Sequence, residues 1–196
     1  MQLIVHPESD DAPQAELCRR VVDHLGADYA PTHIVLDSND YANDSALFDE
    51  FRDIAFSWTP DRQKDRVPSY LLEVMSDPSC THLAWFSRKA LAYTDQLFVW
   101  VLAHELRHLY QSRHAFPRDR IRTKVRELRR EPRFNTLPPS VFAPEEIDSE
   151  LCGLRVVAVM FGAGQLQGFL RSTSLPRCPH PAYACLLQEV EATCPG

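Results

Sequence analysis

The stretch VLAHELRHLY, residues 101–110, constrains the fold more than any other in the chain. It places His104, Glu105 and His108 in the spacing H-E-x-x-H, late in a segment that also carries Leu97, Phe98, Trp100, Val101 and Leu102. Apolar residues around much of the circumference predict a helix buried on several sides. Thr94 is its expected N-cap, Asp95 its first-turn acid and about Ser112 its end, with Pro117 limiting any extension. Residues four apart on a helix share a face, so the two histidines project side by side. Glu105 is turned from His104 by about 100°. Burying two imidazoles and a carboxylate without partners is costly, so such a helix asks for something that holds them. The bland alternative is a pair of core or surface histidines satisfied by ordinary neighbours. Arg107, inside the motif, is expected to point to solvent or toward acids.

Two imidazoles at i and i+4 can both reach one zinc ion at about 2.0–2.1 Å. Glu105 is too far round to join them but can reach a water on the metal. Zinc lowers the pKa of that water, the carboxylate takes its proton, and hydroxide attacks a polarised carbonyl. A catalytic zinc keeps three protein ligands, so a third must come from elsewhere, and two arrangements compete. HELRHLYQSRH, residues 104–114, has the metzincin spacing with His114 in third place, but Gln111 stands where that signature has a glycine. Without the glycine the helix is expected to continue, leaving His114 about 240° round from His108 at an exposed helix end. Met160, the only late methionine, falls in a helical pattern and not in a methionine turn. In the other arrangement the third ligand is a glutamate on a later helix. PEEIDSELCGLRVV, from Pro144, supplies Glu146 as ligand, with Glu145 as fallback. Glu150, one turn on, could hold the second nitrogen of a ligand histidine, and is itself a further fallback ligand. Gly153 continues that face and permits close helix packing. First-turn acids are also favoured by the helix dipole alone, which accounts well for Glu145 and less well for Glu150.

HELRH at 104–108 and EIDSE at 146–150 resemble the small gluzincin metallopeptidases, including the minigluzincins and ImmA/IrrE-like proteins, over roughly residues 80–162. The resemblance implies a zincin-like α+β domain with a small mixed sheet, an active-site helix and a downstream glutamate helix. It implies a zinc-dependent endopeptidase of narrow specificity with one Zn2+ per chain on His104, His108 and Glu146, and Glu105 as general base. It also implies that the strand before the active-site helix is a sheet edge that pairs with an extended peptide or protein substrate. That strand would be HLAWFS at 82–87, with ALAY at 90–93 as the second strand of a hairpin. The competing functional class is a non-catalytic zincin-fold regulatory or binding module. Peptide hydrolysis also needs a donor to the developing oxyanion; Tyr110, His114, His180 and Tyr183 are candidates, none fixed by spacing.

The rest of the chain sets the frame. Its 196 residues suffice for a single domain over 1–171, followed by a Cys/Pro-containing tail over 172–196. Helical spacing spans Ala12–Leu25, stopped by Gly26. HIVL at 33–36 reads as a strand. Ser45 can cap a helix with Leu47, Phe48, Phe51 and Ile54 on one face, and 57–68 reads as a loop. Tyr70–Met75 fits either a strand or a short helix. Residues 118–131 form a charged helix or arm, LPPS at 137–140 is a break, and the helix from Pro144 runs to about Phe161, ended by Gly162 and Gly164. The order lacks a βαβ rhythm, which indicates α+β.

The six cysteines include no C-x-x-C, so a zinc ribbon is not expected. The N-terminus shows no secretory pattern and no run is long enough to cross a bilayer, so the expected location is cytoplasmic, with free thiols and no membrane partner. From Arg107 to Arg133 there are ten Lys/Arg against three acids, near +7, which leaves near −13 in the remainder of a chain of net charge −6. A solvated face is the first reading of this segment and an acidic partner the second. Nucleic acid is disfavoured, since no aromatic interleaving accompanies the arginines. The tail sequence RCPHPAYAC brings Cys178, His180 and Cys185 together and could occupy an open zinc position.

Overall fold

The computed structural model describes residues 4–6, 13–31, 33–36, 69–73, 82–86, 88–172 and 180–193. The chain is mostly helical with one small mixed sheet, an α+β composition, and forms two compact units, Met1–Tyr110 and Gln111–Gly196. The division falls inside a continuous helix, Asp95–Arg113, so that helix belongs in part to each unit. The expected helix from Ser45, the loop 57–68 and residues Cys80, Cys178 and Cys194 lie outside the described residues.

In the first unit, β1 (Ile4–His6), β2 (His33–Leu36), β3 (Ser69–Glu73) and β4 (His82–Phe86) form a sheet in the order β1-β2-β4-β3. The β1–β2 and β2–β4 pairs are parallel, and β3 runs antiparallel to β4. Between β1 and β2 lies α1 (Pro13–Leu25), which buries Ala15, Leu17, Cys18, Val21 and Val22 and exposes Glu16, Arg20 and Asp23. The chain therefore opens with a βαβ unit after all. The sequence hid it because β1 is only 3 residues long, too short for a period to show. Gly26 ends α1 at φ 91°, a backbone region that an L side chain rarely enters. All four residues of β2 are buried, as are four of the five in β4, the run expected of central strands covered on both faces.

Two expectations about β4 are corrected. It is not an edge strand: β2 pairs along one side and β3 along the other, so no peptide can add to it. Among the described strands, β3 is the antiparallel edge. Nor does a second hairpin strand follow, since α2 (Arg88–Leu91) is a single helical turn. With both ladders of β4 taken, the chain turns instead into α3 (Asp95–Arg113), and the rings of Phe86 and Phe98 meet at 5.5 Å.

The second unit is helical: α4 (Arg118–Leu128), α5 (Pro144–Phe161), α6 (Ala163–Ser172) and α7 (Pro181–Thr193), with short 3-10 turns at Pro132–Phe134 and Pro139–Phe142. The charged segment is a helix because Ile121, Val125 and Leu128, spaced four and three apart, give it one buried stripe. Pro144 starts α5 and Gly162, at φ 92°, ends it; Gly164 does not end a helix but lies within α6. In the C-terminal segment Tyr183, Leu186, Leu187 and Val190 are fully buried, so α7 is part of this unit's core.

Much of the positive charge is spent within the unit. Arg118 pairs with Glu145, Arg122 with Asp119 at 3.1 Å, and Arg133 with both Glu131 and Glu189 at 2.8 and 2.9 Å. Arg120 donates to the Thr193 carbonyl, and Arg129 lies 5.5 Å from the centre of the Phe142 ring. Among the described residues, no helix is long and apolar enough to cross a membrane.

Candidate metal centre

The site begins with α3. The Thr94 carbonyl accepts from Phe98 N–H at 2.9 Å and its hydroxyl accepts from Leu97 N–H at 3.4 Å, so the expected N-cap is in place. Phe98 to Ala103, Leu106 and Leu109 are buried, which fixes the rotation of the helix about its axis. His104, Glu105 and His108 are then left half-buried. The two histidine rings stand nearly perpendicular, 79° apart, with centroids at 4.7 Å. Their Nε2 atoms lie 3.0 Å apart. Two nitrogens on one tetrahedral zinc at about 2.05 Å would be about 3.3 Å apart, so the pair already approaches chelating geometry.

The helix continues past Gln111, as the missing glycine led one to expect, and ends at Arg113. His114 is left exposed beyond it and belongs to no cluster of potential ligands among the described residues. On α5, Glu146 is half-buried, and its carboxylate and the ring nitrogens of His104 and His108 lie within 4.8 Å of one another. These three groups could hold a metal ion.

What the sequence did not reveal is how the last turn of α3 meets α5. Gln111 Nε2 donates to the Glu145 carbonyl at 2.9 Å, to Asp148 Oδ2 at 2.8 Å and, at 3.3 Å, lies against Ser149 Oγ. Asp148 and Ser149 are buried. In the sequence Gln111 is only a departure from the metzincin glycine, and no local pattern links it to residues 34 to 38 positions away.

Glu150, one turn beyond Glu146, is also buried and accepts a bond from the Tyr183 hydroxyl at 3.4 Å. Tyr183 thus sits in the core of the second unit with its hydroxyl on Glu150. His180 caps α7, accepting from Ala182 N–H at 3.2 Å through Nδ1, with Nε2 3.5 Å from Thr136 Oγ1. Tyr110 stacks on Tyr29 with centroids 4.5 Å apart. Arg107 donates to the Tyr29 hydroxyl and lies 4.6 Å from the Tyr110 ring centre. Tyr29 was missed because it is 78 residues from Arg107 and carries no motif.

No protein-family model, curated protein or solved structure matches this chain.

Proposed function

We propose that this protein is a zincin-like, zinc-dependent hydrolase of peptide bonds, in which His104, His108 and Glu146 hold the metal and Glu105 is the general base. The observation that carries this reading is the meeting of three potential ligands from two helices within 4.8 Å. The donor set fits: two neutral imidazoles and one carboxylate are a recurrent ligand set of catalytic zinc, which retains an open position. When bound, zinc supplies a Lewis acid that polarises a carbonyl and acidifies water. The chain's own residues do the rest. His104 and His108 must present an Nε2 lone pair to the metal. Glu105, half-exposed on the flank of the same helix, takes the proton from the attacking water and returns it to the leaving amine. Glu150, one turn on from Glu146, is buried and accepts from the Tyr183 hydroxyl.

The test is zinc content and hydrolysis of a quenched peptide library by the full chain beside three variants. His104→Ala and Glu146→Ala should lose zinc and activity together. Glu105→Gln should keep zinc and lose activity by 100-fold or more, in line with the roughly 10²–10⁴-fold contribution of general bases. Zinc bound by the parent, with no hydrolysis of any peptide, would instead favour the non-catalytic binding module.

A further inference from the structure

The geometry points to Gln111 as a positioning residue of the metal centre, one that ties the first two turns of α5 to the last turn of α3 and so places Glu146. This rests on the proposed zinc site and adds to it a residue that is not a ligand. His104, His108 and Gln111 occupy positions i, i+4 and i+7, which share one face of α3. The carboxamide therefore continues the ligand stripe by one turn. Its nitrogen bonds to the carbonyl of Glu145 and the side chain of Asp148 and faces that of Ser149, all on the first two turns of α5. Glu146 lies between these anchor points.

The choice of residue is chemically specific. A glutamine amide offers two N–H donors, and its neighbours here are a carbonyl, a carboxylate and a hydroxyl, all able to accept. A glutamate would repel Asp148, and an apolar residue would remove a donor from buried acceptors. Asp148 and Ser149 are buried, so their bonds to Gln111 are shielded from competing water. The first turn of α5 has no side-chain cap, and Ala143 precedes it, so Gln111 supplies a lateral fixing point where the helix lacks an end-on one. Glu145 is held from a second side by Arg118. A slip of α5 by one residue would turn Glu146 by about 100° about the helix axis.

The experiment is competition titration of zinc into the metal-stripped full chain against a chromogenic chelator, beside thermal unfolding of the metal-free form. Gln111→Met keeps length and removes both donors, and Ser112→Ala is the exposed control. The double variant Gln111→Met with Asp148→Leu replaces donor and acceptor by apolar groups, which restores packing without restoring the bond. Gln111→Met is expected to weaken zinc binding 10- to 100-fold, the range seen for groups that orient ligands. The double variant should regain thermal stability but not zinc affinity, a split that a merely structural role would not give. Zinc affinity within twofold of the parent in folded Gln111→Met, or affinity that returns with stability in the double variant, overturns the proposal while leaving the zinc site standing. A parent that binds no zinc overturns both.

Discussion

The Nε2 atoms of His104 and His108 lie 3.0 Å apart on consecutive turns of one helix, close enough to share a hydrogen bond or a metal ion. Only one of the two nitrogens can carry the proton in a neutral pair, so the arrangement is suited to a cation that replaces that proton. Zinc at one hundred times its dissociation constant should therefore stabilise the parent by about 2.7 kcal/mol. His104→Ala should lose that increment. Thermal unfolding with zinc and with a chelator measures it; equal midpoints in the parent would show that the pair binds no metal.

Tyr183 and Glu150 are both buried, and the tyrosine hydroxyl is one donor to that carboxylate. Tyr183→Phe keeps the ring and removes the donor. It should cost about 1–3 kcal/mol, the range for removing one partner of a buried polar group. If Glu150 also orients a ligand histidine, the same variant should weaken zinc binding severalfold. Urea unfolding of the metal-free protein and zinc titration separate the two effects.

Arg155 and Glu191 join α5 to α7 through a two-pronged ion pair, with Nε to Oε1 at 2.9 Å and Nη2 to Oε2 at 2.6 Å. Both side chains are about one-third exposed, so solvent screens much of the attraction. Glu191→Gln should destabilise by about 1 kcal/mol or less. The loss should shrink as salt is raised. A salt-independent loss would point to packing and not charge.

Burial pushes the Cys18 thiol far above its ordinary value of 9.0. The folded state therefore holds that proton at a pH where the unfolded chain has released it. Stability should fall as pH rises above about 9, by about 1.4 kcal/mol per pH unit for this one group. Tyr93, raised by burial from 10.0, adds to the decline at higher pH. Urea unfolding from pH 8 upward should show a shallower fall in Cys18→Val than in the parent. Parallel curves would mean that the thiol ionises in place.

Several features were legible without coordinates because they depend on neighbours along the chain. The span of α3, its cap at Thr94, the start of α5 at Pro144 and the breaks at Gly26 and Gly162 all follow from local backbone preferences. The H-E-x-x-H face follows from helical geometry. Other features depended on partners far along the chain. A 3-residue β1 carries too little pattern to be seen, and β4 reads the same at an edge or in the centre. The tertiary structure alone decided that β4 is paired on both sides, that Arg107 lies against Tyr29 and Tyr110, and that Gln111 reaches Glu145, Asp148 and Ser149. The sequence by itself determined which groups share a helix face, because 3.6 residues per turn is a property of the backbone. Which groups meet across helices was decided only on folding, because burial leaves a polar side chain to find whatever partner packing brings within hydrogen-bond reach.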